Sequence, residues 1–259
     1  MSEHNLFDLT GRTALITGGS RGLGLQMAEA LGAYGARLLL SARRSDELRE
    51  AQAHLRERRI EAEWVAADGS KPEGIAALTE AVFGKLAHLD ILINNAGTSW
   101  GAPAEDHPIE AWDKVFDINV RGLFMLTQQV AKRSMIPRRY GRIINIASVA
   151  GLRGNPPDTM QTAAYNASKA AVVNLTRALA GEWGRHGITV NALAPGFFPS
   201  KMSHKLIAAI GEEALIGRTP LRRLGDGEDL KGAALLFASD AGKHITGQVL
   251  AVDGGQSAV

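Results

Sequence analysis

An α/β fold is predicted for this 259-residue chain: a doubly wound, mostly parallel seven-stranded sheet with helices on both faces. Three features predict it. Short runs rich in Leu, Ile and Val alternate with longer stretches that carry Leu, Ala and Val at helical spacing. The short runs are apolar throughout instead of alternating with polar residues, which suits strands covered on both faces. No repeat, low-complexity segment or linker rich in Pro, Gly or Ser interrupts the pattern, so residues 1–259 read as one domain.

In order, "RTALIT" (12–17) is the first strand and 22–33 the first helix, whose start carries Gly22 and Gly24. "ARLLLSA" (36–42) leads into a helix over 45–58, and "AEWVA" (62–66) into one over 72–87 that begins at Pro72. "LDILI" (89–93) precedes a long helical stretch over 109–135, and "GRIINIA" (141–147) one over 163–185. "ITVNAL" (188–193), a helix over 226–238 and "QVLAV" (248–252) complete the set. Ligands of such sheets bind beyond the carboxyl ends of the strands, where the strand order reverses. The residues that follow each strand therefore carry the functional information.

Bulk properties exclude several classes. Twenty-nine basic residues against 27 acidic ones give a net charge of +2, and the arginine pairs are scattered, so no footprint for nucleic acid exists. The chain has no cysteine, hence no disulfide or thiolate metal site, and its seven histidines do not cluster with acids, so no metal is expected. "MSEHNLFDLTG" lacks a basic segment followed by an apolar one, and no apolar run reaches membrane-spanning length. A soluble cytoplasmic protein is expected, with no membrane partner.

After the first strand stands "TGGSRGLG" (17–24). Gly18, Gly22 and Gly24 allow a tight turn that brings backbone N–H groups to a helix N-terminus, a setting for pyrophosphate and also for a plain strand–helix turn. After the second strand, Ala42 occupies the place where a carboxylate would take the ribose hydroxyls of NAD, and Arg43 follows. Arg43 and Arg21 suit the 2′-phosphate of NADP(H), although Arg43 stacked on adenine would also serve NAD(H). Asp68, after the third strand, either accepts from an adenine amino group or caps the next helix. "NNAG" (94–97) follows the fourth strand, and Ser148 stands at the end of the fifth.

"AAYNASKAAV" (163–172) sets Tyr165 and Lys169 four apart, one above the other on a helix lined with small residues. Alone, the pair reads first as surface decoration on an alanine-rich helix. Together these stretches resemble the short-chain dehydrogenase/reductase family over nearly the whole chain. The likeness rests on TGGSRGLG, NNAG, Asn119 in "DINV", Ser148, YNASK (165–169), Pro195–Gly196 and the closing VDGG (252–255).

The resemblance implies a Rossmann-type fold and reversible carbonyl reduction by hydride transfer with NADP(H), NAD(H) being the weaker candidate. It implies that Tyr165 exchanges a proton with the substrate oxygen, Ser148 orients the carbonyl, and Asn119 holds a water linking Lys169 to solvent. Lys169 lowers the pKa of the phenol towards neutrality, which from about 10 amounts to roughly 4 kcal/mol. Cofactor contacts fall on Gly18, Ser20, Arg21, Gly22, Leu23 and Gly24 in the first turn. Arg43 and Asp68 follow, then Asn95, Ala96 and Gly97, with Tyr165 and Lys169 at the ribose. Pro195, Gly196, the Phe198 backbone and Ser200 lie beside the nicotinamide. Family members commonly form tetramers through helices matching 109–135 and 163–185 and through the last strand, so a homotetramer is expected.

Ser148 and Tyr165 stand 17 apart, four more than is usual in the family, and the intervening loop contains Pro156 and Pro157. Its shape bears on the substrate. Residues 97–107 and 197–220 supply the other walls, the second as an amphipathic lid carrying Phe197, Met202, Lys201 and Lys205. Arg153, Lys201 and Lys205 suit an acidic substrate or plain solvent, and Trp100 suits a substrate or the core. "FDLTG", "GSRGLGLQMAEALG" and "APGFF" are similar to gluconate 5-dehydrogenases, and "NNAGTSWGA" to a branch of 3-oxoacyl-[acyl-carrier-protein] reductases. The expected substrate is a small or medium keto or hydroxy compound, a keto-sugar acid or a 3-oxoacyl thioester. The rival reading is a catalytically silent NADP(H)-binding regulator, and the intact Asn119–Ser148–Tyr165–Lys169 set argues against it.

Overall fold

The computed structural model describes residues 5–155, 160–201 and 203–259. Its seven strands are β1 (Thr13–Thr17), β2 (Arg37–Ala42), β3 (Ala62–Ala66), β4 (Ile91–Asn94), β5 (Gly141–Ile146), β6 (Ile188–Pro195) and β7 (Val249–Val252). They form one sheet in the order β3-β2-β1-β4-β5-β6-β7, and every pairing is parallel. Chain order runs outward from β1 to β3 and then returns to β4 on the other side of β1. The switch point is thus the gap between the carboxyl ends of β1 and β4.

The helices are α1 (Gly22–Ala33), α2 (Ser45–Glu57), α3 (Pro72–Lys85), α4 (Ile109–Phe116), α5 (Leu123–Val130), α6 (Ile136–Arg138), α7 (Ala163–Trp183), α8 (His204–Ile210), α9 (Glu212–Gly217) and α10 (Lys231–Ala238). On one face Met27 and Leu31 of α1, Leu48 and Leu55 of α2 and Phe237 of α10 pack on Ile16, Leu40 and Ile93. On the other, Leu78 and Val82 of α3, Val130 of α5 and Leu179 of α7 pack on Leu15, Leu39, Leu92 and Val190. Successive strand residues point to opposite faces, so both must be apolar, and this is why the strands read as unbroken hydrophobic runs.

Two features of the helical layer go beyond the sequence reading. The stretch read as one helix over 109–135 is a rod reaching Arg138, interrupted by π turns at Asp117–Gly122 and Ala131–Met135. The helix read over 226–238 starts only at Lys231. Asp226 N–H donates to Asp229 Oδ2 at 2.8 Å, and Arg223 grips Asp229 through both terminal nitrogens. Those side-chain bonds hold 226–229 as a turn that competes with a first helical turn.

Inside the sheet, Asn94 Nδ2 donates to Thr127 Oγ1 at 2.8 Å and Asn145 Oδ1 at 2.9 Å, and Asn145 Nδ2 to Thr176 Oγ1 at 3.0 Å. This buried chain ties β4 and β5 to α5 and α7. The first asparagine of NNAG is therefore a framework residue that fixes the strand ends on which the site stands.

Candidate functional site

At the β1 end, Asn95 Nδ2 donates to Thr17 O at 2.9 Å and to Gly18 O at 3.0 Å. Thr17 Oγ1 accepts from Asn95 N and Ala96 N at 3.0 Å each, so the loops after β1 and β4 are locked together. Gly18 has φ +63°, and a Cβ on Gly24 would lie 2.3 Å from Gly18 O and 2.6 Å from Asn95 Nδ2. Neither place admits a side chain. Gly22, at φ +53°, meets nothing within 4 Å, so this side of the loop is open. The N-terminus of α1 has no side-chain cap and no acid in its first turn, whereas α2 begins with Asp46 and Glu47. An open glycine turn feeding free helix N–H groups fits a diphosphate.

Beside it lies a cationic corner. Arg21 pairs with Glu47, as do Arg44 Nη1 at 3.2 Å and, from the loop after β6, Lys201 Nζ at 4.0 Å. Arg43 is exposed. Burial raises the pKa of Asp68, but bonds from Ser70 and the charge of Arg43 outweigh it and hold the carboxyl below its usual range. Asp68 Oδ1 accepts from Ser70 N at 3.1 Å and Ser70 Oγ at 2.7 Å. It thus shapes the turn ahead of α3, whose own N-cap, Lys71, makes no side-chain bond.

The four residues singled out as catalytic come together above the ends of β4 and β5. A Cβ on Gly97 would stand 3.1 Å from Asn119 Oδ1 and 3.7 Å from Lys169 Nζ, so both groups border one small space. Asn119 lies in the first π turn; the extra residue there turns it inward. Its Nδ2 donates to Thr98 O at 3.0 Å and Ser168 Oγ at 2.9 Å, while Oδ1 accepts from Thr98 N at 2.9 Å. Both amide hydrogens are engaged, so the side chain has no donor left for a water.

Ser148 Oγ accepts from Ala150 N at 3.1 Å, which fixes the hydroxyl at the start of a short 3₁₀ turn. Lys169 is 5% exposed, and its Nζ donates to Ile146 O at 2.6 Å and lies 5.7 Å from the Tyr165 ring centre. Burial pushes its pKa down to about 8. For Tyr165, burial raises the phenol above its ordinary value, and the hydrogen bond with Ser148 pulls only part of that back. One helical turn brings Lys169 close, but its long side chain delivers the charge to a strand carbonyl.

Beyond β6, Gly196 N donates to Val252 O at 3.0 Å, and a Cβ there would meet Asp253 Cβ at 2.7 Å. Phe198 is turned inward, 5% exposed, against Gly225. Ser200 Oγ lies 3.0 Å from Ser203 Oγ and accepts from Ser203 N at 3.2 Å. Both residues, expected beside a nicotinamide, build the turn that opens α8 here.

A cleft of about 310 Å³ adjoins Val149 and Ala150 and is walled by Arg153, Phe197, Leu215 and Arg218. The 197–220 stretch is thus a wall made of α8 and α9. Trp100 is not core: it is 43% exposed, with Lys114 Nζ 5.9 Å from its ring centre. Arg218 escaped the sequence reading, since only the fold of α9 brings it to the cleft. Pro156, Pro157, Met202 and the Lys205 side chain lie outside the described residues.

Comparison with known proteins agrees with this geometry. The family model described as short chain dehydrogenase matches residues 12–210. Gluconate 5-dehydrogenase of Gluconobacter oxydans (strain 621H) is 41% identical over 98% of each chain. The rhamnolipids biosynthesis 3-oxoacyl-[acyl-carrier-protein] reductase of Pseudomonas aeruginosa is 40% identical over 97% of this chain and 98% of its own. A crystal structure of a gluconate 5-dehydrogenase from Burkholderia cenocepacia J2315 in complex with NADP and tartrate superposes with a TM-score of 0.91, at 35% identity and 98% coverage of both chains.

Proposed function

The chain belongs to the short-chain dehydrogenase family, and from that premise we propose that it interconverts a carbonyl and an alcohol by hydride transfer with NADP(H), acting on a small keto or hydroxy acid. The observation that carries the reading is the convergence of Asn119, Ser148, Tyr165 and Lys169 beside an uncapped helix N-terminus at the switch point. When bound, the coenzyme supplies or accepts the hydride. Gly18, Gly22 and Gly24 hold its diphosphate through the N-terminus of α1, Arg21 and Arg43 the 2′-phosphate, and Lys169 the nicotinamide ribose. Ser20, Leu23, Asp68 and the stretch Asn95–Gly97 line its path, and Pro195, Gly196, Phe198 and Ser200 bound the nicotinamide side.

Tyr165 gives a proton to the carbonyl oxygen during reduction and removes it from the alcohol during oxidation. Ser148, already bonded to the phenol, takes the same oxygen and stabilises its negative charge. Lys169, with its ammonium 5.7 Å from the Tyr165 ring centre, would hold the ribose, and its charge would offset the effect of burial on the phenol. Asn119 positions the helix and Gly97 through Thr98 and Ser168.

Arg153 and Arg218 at the cleft favour a carboxylate, which a sugar acid carries. The protein acts as one domain over 1–259, in the cytoplasm, with no nucleic-acid partner. It assembles as a homotetramer through Ile109 and Phe124 on the α4–α5 rod and Leu250 on edge strand β7, all exposed in the single chain. NADPH consumption is screened with 5-ketogluconate, a 3-oxoacyl thioester and an aryl ketone. The expected result is a kcat/KM at least tenfold higher for the keto acid; equal or better turnover of the thioester overturns the substrate assignment.

A further inference from the structure

The cationic corner contains an anion of its own. Glu47 sits in the first turn of α2 with its side chain only 16% exposed, and three positive groups from three separate segments meet on it. Arg21 comes from the glycine turn, Arg44 from the β2–α2 connection and Lys201 from the loop after β6, with nitrogen–oxygen distances of 2.5, 3.2 and 4.0 Å. Ser20 Oγ, 3.4 Å from Glu47 Oε2, adds a fourth partner. Arg44 is shared with Asp46 at 2.6 Å. A carboxylate held in this way is more than a helix-start acid, because the groups around it are those that a phosphate on the adenosine ribose needs.

We propose that Glu47 is a specificity-determining residue, a resident carboxylate that competes with the 2′-phosphate of NADP(H) for Arg21. The proposal rests on the NADP(H) reading above. Arg21 cannot give its full donor set to a phosphate while it bonds Glu47, and a phosphate close enough to take it stands beside a like charge. A ribose carrying a free 2′-hydroxyl meets no such repulsion and can donate to the same carboxylate. Glu47 therefore weakens the phosphorylated coenzyme selectively and keeps the preference for NADP(H) below what the arginines alone would give. Lys201 ties the same carboxylate to the loop that opens the 197–220 wall, so displacement of Glu47 also frees the first cation of that wall.

The test uses the full chain and adenosine 2′,5′-bisphosphate against AMP, two probes that differ only at the ribose 2′-phosphate and involve no turnover. Binding is measured by calorimetry for the wild type and Glu47→Gln. The wild-type ratio of the two affinities reports on the coenzyme reading by itself. Whatever that ratio is, Glu47→Gln is expected to raise it about tenfold, through tighter binding of the bisphosphate with AMP unchanged or weaker. An unchanged ratio, or a weaker bisphosphate complex, overturns the proposal; the second result would mean that Glu47 merely orders the arginines. The same rise is required of Glu47→Ala, which keeps the test decisive if the glutamine variant does not fold.

Discussion

Replacing Lys169 by Met is expected to make the protein more stable at neutral pH while abolishing turnover. The ammonium is buried at 5% exposure, and its pKa falls from the ordinary 10.5 to about 8. The unfolded chain holds the proton up to 10.5 and the folded protein only up to about 8, so in that window the unfolded state binds more protons and stability rises with pH. Carrying the charge costs the fold about 3 kcal/mol at pH 7, and about 1 kcal/mol of that cost remains at pH 10. The variant never incurs it. It does leave Ile146 O without its donor, a loss of about 1–3 kcal/mol that does not vary with pH. The net gain at pH 7 is therefore about 0–2 kcal/mol, or up to several degrees in Tm for a chain of this size. Denaturant unfolding of both proteins at pH 7 and pH 10 checks it. The stability difference should move by about 2 kcal/mol in favour of the wild type as pH rises. A difference that stays flat across that range, or moves the other way, refutes the reasoning.

Two further outcomes follow from the site. Tyr165→Phe should lower kcat by about 10²–10⁴ while NADPH affinity, read by fluorescence titration, changes by less than about threefold; near-normal turnover would remove Tyr165 from proton transfer. Gly24→Ala places a Cβ 2.3 Å from Gly18 O, so the usual helix gain of about 1 kcal/mol from Ala is outweighed by a clash costing about 1–3 kcal/mol. A lower Tm together with a higher KM for NADPH checks that outcome.

The sheet was legible because burial on both faces imposes a single demand on each strand, and apolar runs such as LLLSA meet it wherever they occur. Tyr165 and Lys169 were legible for a similar reason: helical geometry alone fixes two residues four apart on one face. What escaped depends on choices a sequence does not record. The π turn around Asn119 needs a hydrogen-bond shift that no residue pattern announces. Asp226 and Asp229 read as the start of a helix until Arg223 arrives from six residues earlier to hold them as a turn. The bonds between Ser200 and Ser203 that open α8 are likewise unannounced by any pattern. The direction of a four-carbon amine is equally silent in the sequence, and no pattern announces the bond from Lys169 to Ile146 O.

The amide of Asn95, stapled to Thr17 O and Gly18 O, has a consequence for kinetics. A single side chain sets the width of the groove between the first and fourth strands before any guest arrives, so little ordering remains to be done on docking. Coenzymes and their fragments should associate at similar encounter-controlled rates and differ mainly in how long they stay. Removing that amide would turn a ready-made slot into one that each visitor has to assemble.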